Sequence, residues 1–222
     1  MREIVLDTET TGFDPQQGHR VVEIGCLELI NHIPTGKTFH KYVNPERDMP
    51  AEAFAVHGLA EDFLRDQPLF ADVVEEFLVF VEDSPLIAHN AEFDFRFVNA
   101  ELSRCGLAKL GMDRAIDTVA MARSKFPGAP ASLDALCKRF MIDNGSRTLH
   151  GALLDAQLLA EVYLELIGGR QPDLMLATGS DDDTGLVADI VHRVARPHAA
   201  GETELAAHTE FLKKITNPIW LR

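Results

Sequence analysis

The chain of 222 residues is long enough for one domain of ordinary size followed by a smaller appendage. Aspartate and glutamate outnumber lysine and arginine by 35 to 21, which argues against a protein that holds duplex nucleic acid on a broad basic face. No run approaches the roughly 18 apolar residues of a membrane span, and the N-terminus lacks the regions of a signal peptide, so we expect a cytoplasmic protein that contacts no membrane. A nuclease is not excluded, because an enzyme that grips one strand end through bound cations needs no basic face.

Three strands are expected at the start of the chain. They cover residues 3–7, 20–30 and 36–43, and the turn-forming segments TTGFDPQQG and NHIPTG separate them. Strands joined by such short turns form an antiparallel meander.

The pattern becomes helical after Pro50. In ADVVEEFLVFVED the apolar residues lie on one face of a helix, namely Val73, Val74, Phe77, Leu78 and Val81. PLIAH, residues 85–89, is a short apolar strand, and Asn90 then caps a helix that carries Phe93 and Phe97. A strand followed directly by a helix predicts a parallel addition to the sheet.

The remaining core elements follow in close succession. A short strand surrounds Ile116, and Ser132 caps one of the helices after it. Helices are predicted over residues 117–124, 132–140 and about 152–167. The last helix stops at Gly168, where we expect the core to end.

Three regions are therefore predicted: a core over residues 1–170, an acidic linker over 171–185 and a tail over 186–222. The linker sequence QPDLMLATGSDDDTG is polar enough to be flexible. The tail has two short helical patterns, at about 186–195 and 202–215.

Two acids follow the first apolar strand. Asp7 and Glu9 are two residues apart, so their side chains project from the same face while Thr8 points away. Either these acids simply face water at a strand end, or they form half of a metal site. Further acids beside apolar elements favour the metal site.

Asp94, His150 and Asp155 supply those further groups. Asp94 lies in the first turn of the helix after Asn90, where stabilisation of the helix dipole is the alternative role. Asp155 lies on a helix face rich in leucine and alanine, where a carboxylate is costly without a partner. His150 and Asp155 would point roughly 140° apart on one continuous helix, so His150 must precede the helix to share the site. Otherwise this histidine is a surface or capping residue.

Four carboxylates and a histidine have a recognisable chemistry together. Hard oxygen ligands select Mg²⁺ or Mn²⁺ over zinc. Two such ions can activate a water and stabilise the leaving oxygen of a phosphodiester, and a histidine can accept the proton of that water near neutral pH. The set predicts phosphodiester hydrolysis.

Three segments that contain these residues, DTETTG, HNAEFDFRF and HGALLDAQ, resemble the motifs of the DEDDh 3′–5′ exonucleases. The resemblance covers about residues 3–169. It implies an α/β, ribonuclease-H-like fold, with a mixed five-stranded sheet flanked by helices and a flexible C-terminal tail. It also implies that Asp7, Glu9, Asp94 and Asp155 hold two Mg²⁺ (or Mn²⁺) ions and that His150 is the general base.

The resemblance also implies residues that contact the terminal nucleotide. Glu52 and His57, in EAFAVHGL, fall where the family contacts that nucleotide, together with Asp7, Glu9 and Asp155. The residues alone favour a loop glutamate and a capping histidine instead. Thr10 and Phe93 are either neighbours of the terminal sugar and base or packing residues.

Two partners are predicted for the region after the core. QPDLML resembles a short sliding-clamp-binding peptide, in which Gln171, Leu174 and Leu176 enter a groove, although so short a pattern also arises by chance. The apolar tail, which ends in NPIWLR, is predicted to be a docking element, and the resemblance implies that its partner is a DNA polymerase catalytic subunit.

Together these features predict a proofreading 3′–5′ exonuclease of the replicative DNA polymerase, which acts on the single-stranded 3′ end of DNA and releases 5′-mononucleotides. An exonuclease of the same family directed at RNA is one alternative. A non-catalytic scaffold that links polymerase to clamp is the other.

Overall fold

Five strands form one sheet in the structure, a computed structural model that describes residues 1–145, 149–169 and 200–216. The contacts divide the chain into two compact units, residues 1–175 and 176–222. All five strands lie in the first unit: β1 (Arg2–Thr10), β2 (Val21–Ile30), β3 (Ile33–Tyr42), β4 (Leu86–Ala88) and β5 (Ala115–Asp117).

Seven helices of the first unit flank this sheet. They are α1 (Ala51–His57), α2 (Glu61–Arg65), α3 (Phe70–Val81), α4 (Ala91–Arg104), α5 (Thr118–Lys125), α6 (Leu133–Phe140) and α7 (Ala152–Ile167). An eighth helix, α8 (Glu202–Leu212), belongs to the second unit. None of the helices in the described part of the chain is both long and apolar enough to span a membrane.

The sheet order is β3-β2-β1-β4-β5. Strand β1 pairs with β2 antiparallel, and β2 pairs with β3 in the same way, whereas β4 is parallel to both β1 and β5. The antiparallel meander, the parallel addition and the mixed five-stranded sheet predicted from the sequence are therefore confirmed.

Strand β1 lies at the centre of the sheet and has helices on both faces. Ile4 and Leu6 belong to the hydrophobic cluster that includes Phe77 of α3 and Phe95 of α4. Val5 belongs to the opposite cluster, which is built largely from α6 and α7. A strand that is covered on both faces needs a continuous apolar run, which explains the Ile-Val-Leu sequence.

Strand β1 is longer than predicted. It continues to Thr10 rather than ending at residue 7, because β2 pairs with it through Thr10, with a register shift between Glu9 and Thr10. Cross-strand hydrogen bonds thus override the local turn signal in TETTG. Asp7 and Glu9 consequently lie inside a paired strand, where their direction is fixed.

The start of α4 also differs from the prediction. Asn90 occupies the N-cap position, but its backbone is left-handed, with φ of 71°, and its side chain makes no capping bond. Its backbone N–H instead donates to Asp117 Oδ1 at 3.0 Å. The same carboxylate caps α5 by accepting from Val119 N at 2.9 Å, so one aspartate ties the ends of β4 and β5 together.

Other local predictions are confirmed. Ser132 caps α6 by accepting a hydrogen bond from the Ala135 N–H, and α7 ends at Gly168. The helix predicted over 202–215 is α8, which ends at Leu212. The linker over 171–185 and the helix predicted over 186–195 lie outside the described residues, and the boundaries of the three regions remain a prediction.

Candidate active site

The carboxyl ends of β1 and β4 open into a cavity of about 280 Å³, here called the acidic cavity. The sheet topology explains its composition, since β1 and β4 are parallel neighbours and their carboxyl ends lie at the same edge. The side chains that line it come from β1, from the start of α4, from the start of α6 and from the start of α7. They are Asp7, Thr8, Glu9, His89, Asn90, Phe93, Asp94, Ser132, Leu133, Asp134, His150 and Asp155.

Asp7 and Glu9 enter this cavity from one face of β1. In the register with β2 they lie opposite Gly25 and Glu23, and cross-strand partners share a face. Glu9 is buried, whereas Asp7 is partly exposed. Asp7 and Glu9 therefore lie on the same face of β1, as the spacing of D-x-E predicts.

His150 and Asp155 enter from the start of α7. Gly151 is the N-cap residue, so His150 stands just before the helix, as the spacing argument requires. Its Nδ1 atom lies 3.3 Å from Asp155 Oδ2, and its backbone N–H donates to the Val56 carbonyl at 3.1 Å. Glu9, His150 and Asp155 each offer a ligand atom, and these three atoms all lie within 4.8 Å of one another.

Asp94 reaches the cavity from α4. Its Oδ1 atom accepts a hydrogen bond from the Thr8 hydroxyl at 2.7 Å, and the carboxylate is buried. Burial raises the pKa of Asp94 to about 7, and the charge of Asp117 adds to this increase, while the Thr8 hydrogen bond opposes it. Asp94 is not part of the three-residue group above, which is the only such group within residues 1–145, 149–169 and 200–216.

A second cavity of about 280 Å³, here called the adjoining pocket, meets the acidic cavity at Thr8, Glu9 and Phe93. All four residues assigned to the terminal nucleotide by resemblance alone line it: Thr10, Glu52, His57 and Phe93. Glu52 and His57 lie at opposite ends of α1 rather than in a loop. The structure therefore places the two sets of candidate residues in two contiguous cavities.

His57 is the most buried titratable group of the adjoining pocket. Its Nδ1 atom accepts a hydrogen bond from the Leu59 N–H at 3.0 Å, which fixes the ring. Its Nε2 atom is buried and makes no hydrogen bond of good geometry to the described residues. Burial lowers the pKa of His57, the Thr10 backbone opposes this decrease, and the charge of His150 contributes to it. A neutral imidazole with an available nitrogen suits recognition of a polar group on a ligand.

Some residues of the two cavities have no counterpart in the sequence prediction. Thr8 was assigned only to the opposite face of β1, although its hydroxyl holds Asp94. His89, Asp134 and the exposed Phe13 also line the cavities. His89 directly precedes the segment NAEFDFRF, and this proximity is the one sequence signal that points to it.

The acidic cavity suits a divalent cation. Of the described residues that line it, five are carboxylates and none is a lysine or an arginine. Carboxylates gathered in one cavity repel one another unless a cation or a proton neutralises them, and oxygen donors are what Mg²⁺ and Mn²⁺ prefer. The donor set therefore fits a hard metal better than zinc.

Comparison with known proteins gives a consistent result. A family model described as "Exonuclease" matches residues 4–163. The DNA polymerase III subunit epsilon of Rickettsia prowazekii is 53% identical over 222 residues, which cover 97% of this chain and 97% of that protein. The protein of the same name from Escherichia coli K12 is 43% identical over 220 residues, which cover 93% of this chain and 90% of its own length.

Solved structures agree on the fold. Exonuclease X in complex with 5′ overhanging duplex DNA is 27% identical, with a TM-score of 0.59 over 74% of this chain and 90% of that one. The nuclease domain of 3′hExo, a DEDDh family member bound to rAMP, is 18% identical and aligns with a TM-score of 0.64 over 75% of this chain and 91% of its own. The chain therefore belongs to the exonuclease family, among the DNA polymerase III epsilon subunits, and is a metal-dependent 3′–5′ exonuclease.

Proposed function

We propose that the chain hydrolyses the 3′-terminal phosphodiester of single-stranded DNA ends at the acidic cavity. The observation that carries this proposal is the convergence of Asp7, Glu9, Asp94, Asp155 and His150 on a cavity that opens into the adjoining pocket. The four carboxylates would hold two Mg²⁺ or Mn²⁺ ions, which when bound activate a water and stabilise the leaving oxygen.

His150 is the general base of this proposal. Its Nδ1 atom lies beside Asp155, which orients the imidazole, so the proton of the attacking water passes to Nε2. Oxygen from that water adds to phosphorus, and the bond to the 3′ oxygen of the penultimate nucleotide breaks. The products are a 5′-mononucleotide and a strand with a new 3′ hydroxyl group.

The adjoining pocket takes the terminal nucleotide. Phe93 borders both cavities, so a nucleotide in the pocket places its 5′ phosphate at the acids. Glu52 and His57 offer a hydrogen-bond acceptor and a neutral imidazole for the sugar, and Thr10 and Phe93 contact the sugar and base. A mispaired end unstacks more cheaply than a paired one and enters this single-strand site more often, which supports a role in proofreading.

We extend the proposal to partners because the relatives are named as subunits of DNA polymerase III. The tail over residues 186–222 docks on the polymerase catalytic subunit, and apolar residues of α8 support this, since Leu205 and Phe211 are 54% and 59% exposed. The clamp-binding residues Gln171, Leu174 and Leu176 lie outside the described residues. A replication enzyme of this kind acts in the bacterial cytoplasm.

Digestion of a primer with a 3′ mismatch, in Mg²⁺ and then in EDTA, tests substrate, polarity and metal together. We expect stepwise release of 5′-mononucleotides that EDTA abolishes, and faster removal of a mismatched than of a matched end. Asp7→Ala and Asp155→Ala should be inactive, whereas Asp62→Ala, which alters a carboxylate that is 89% exposed, should match the wild type.

Three results would overturn the proposal. Full activity of Asp7→Ala or Asp155→Ala in Mg²⁺ would make the metal assignment wrong. Faster hydrolysis of an RNA oligonucleotide of the same sequence would favour the RNA-directed alternative, and a wild-type protein inert on single-stranded DNA in Mn²⁺ would favour the scaffold.

A further inference from the structure

Helix α7 rests directly on a glycine of β2. We propose that Gly25 is a positioning residue, which sets the distance between Asp155 on α7 and the acids of β1 by having no side chain. The proposal rests on the metal site proposed above and adds the feature of the fold that determines the spacing of that site.

Gly25 lies beside the acids in the sheet. It is the cross-strand partner of Asp7 on β1 and pairs with His40 on β3. Cross-strand partners share a face, so the space above Gly25 is next to the Asp7 side chain. Whatever occupies that space therefore borders the acidic cavity.

The backbone of α7 occupies that space. A Cβ atom at Gly25 would lie 2.3 Å from the carbonyl carbon of Ala152, 2.3 Å from Leu153 N and 2.5 Å from Ala152 O. These are backbone atoms, which cannot rotate away as the end of a side chain does. To reach an ordinary separation of about 3.5 Å, the first turn of the helix must retreat by about 1 Å.

Such a retreat moves the functional groups with it. The Asp155 N–H donates to the Gly151 carbonyl at 2.8 Å, so Asp155 belongs to the same rigid turn as Ala152. His150 directly precedes that turn. Mg²⁺ requires oxygen ligands at about 2.0–2.1 Å in near-octahedral geometry, and a site tolerates errors of about 0.2 Å. A shift of about 1 Å at Asp155 exceeds that tolerance.

The far end of α7 is held independently. The Tyr163 hydroxyl donates to the buried carboxylate of Glu3 at 2.8 Å, near the opposite end of β1. A side chain at Gly25 therefore tilts the helix at its first turn rather than displacing it as a whole. The effect is concentrated where Asp155 and His150 lie.

Gly25→Ala in the full-length chain tests the proposal through metal binding as well as activity. Binding of Mn²⁺ to the DNA-free protein, followed by electron paramagnetic resonance, should weaken about 10–100-fold. The kcat on single-stranded DNA in Mg²⁺ should fall about 100-fold, with a smaller change in KM, because Glu52 and His57 of the adjoining pocket are not on α7.

Gly151→Ala is the matched control. It adds the same methyl group at the N-cap of the same helix, where φ is −148° and no described atom outside the neighbouring residues lies within 4 Å of the added Cβ, so metal binding and kcat should match the wild type. Leu136→Ala opens a cavity in the same hydrophobic cluster and controls for lost stability, because it lowers the melting temperature without placing an atom against the backbone of α7.

Wild-type Mn²⁺ binding and kcat in Gly25→Ala would overturn the proposal. If that variant does not fold, Tyr163→Phe tests it separately: metal binding should be unchanged, and weakened binding would mean that the far end sets the position of Asp155. Unchanged Mn²⁺ binding in Asp155→Ala would instead show that the metal site itself is wrongly assigned.

Discussion

The hydrogen bond from Thr8 to Asp94 places a threonine from one face of β1 in contact with a carboxylate of α4. Because Asp94 is buried, its charged form is stabilised only by such contacts or by a cation. Its pKa of about 7 means that Asp94 is partly protonated near neutral pH, so a cation that binds there, as proposed above, would displace the proton. The buried charge of Asp94 therefore lowers the stability of the metal-free protein, and the proposed metal ion would offset that loss.

Asp94→Asn should show how much the buried charge of Asp94 lowers the stability of the metal-free protein. Since the folded-state pKa of Asp94 is about 7 and the ordinary value 3.8, the folded state binds the proton more tightly, and the stability so gained is lost as the pH rises through 7. An uncharged amide at this position avoids that loss. In EDTA at about pH 8 the variant should therefore unfold at a higher temperature than the wild type, with a free energy of unfolding larger by up to about 4 kcal/mol.

The difference between the two proteins should shrink below about pH 4, where Asp94 is protonated in both the folded and the unfolded state. Excess Mg²⁺ should reverse the order, because only the wild type gains from the ion. A wild type that is the more stable protein at high pH in EDTA would contradict the buried-charge explanation.

His150→Gln separates two roles that its position allows. His150 contributes a possible ligand atom to the group with Glu9 and Asp155, but the proposal makes it the general base. Loss of the base should lower kcat about 10²–10⁴-fold and leave the half-saturating Mg²⁺ concentration unchanged. A large increase in that concentration, measured in the same assay, would instead identify His150 as a metal ligand.

Among the elements, α6 depends on one capping side chain. Ser132 borders the acidic cavity and accepts from Ala135 N, which satisfies one of the N–H groups at the start of the helix that have no partner within it. Ser132→Ala should lower the free energy of unfolding by about 1 kcal/mol, measured by urea denaturation. Ser103→Ala, in the exposed part of α4, should change it by less than about 0.5 kcal/mol.

Many of the helices and their ends could be predicted because they depend on residues that are close together in the sequence. The apolar face of α3, the Ser132 cap and the glycine stop after α7 each depend on neighbours within a turn or two. The length of β1 could not be predicted, because pairing with β2 carries it through a turn-like sequence. The prediction that the Asn90 side chain caps α4 was wrong. The contact that holds Asn90 is made instead by its backbone N–H, which donates to Asp117, a residue remote in sequence.

The residues of the candidate site likewise divide into those that the local sequence indicates and those that only the assembled fold reveals. The acids and His150 were found from spacing and from the cost of a carboxylate among apolar residues. Glu52 and His57 were found by resemblance alone, since nothing near α1 indicates that it faces the end of β1. Thr8 and Gly25 depend on contacts with α4 and α7, which only the assembled fold specifies.

At the scale of the whole molecule, the net charge of −14 predicts how the enzyme responds to salt. Among the described residues that line the acidic cavity there is no lysine or arginine, so we expect few DNA counterions to be released on binding. In saturating Mg²⁺, the slope of log KM against log KCl concentration for single-stranded DNA should stay below about 1.4, the value for two phosphate contacts. A slope of about 4 or more would reveal a basic DNA-binding surface elsewhere.

The acidic cavity joins the first strand of the chain to the last helix of the first unit. A ribosome adds residues from the N-terminus at roughly 5–20 per second, so a nascent chain presents Asp7 and Glu9 well before His150 and Asp155 exist. Until α7 has emerged, the face of β1 that carries the acids lacks one of the two helices that form its hydrophobic cluster, and it lacks the second set of proposed ligands. If the proposed site is correct, products of interrupted translation carry only part of it, and the enzyme becomes able to cut only once its core has been fully synthesised.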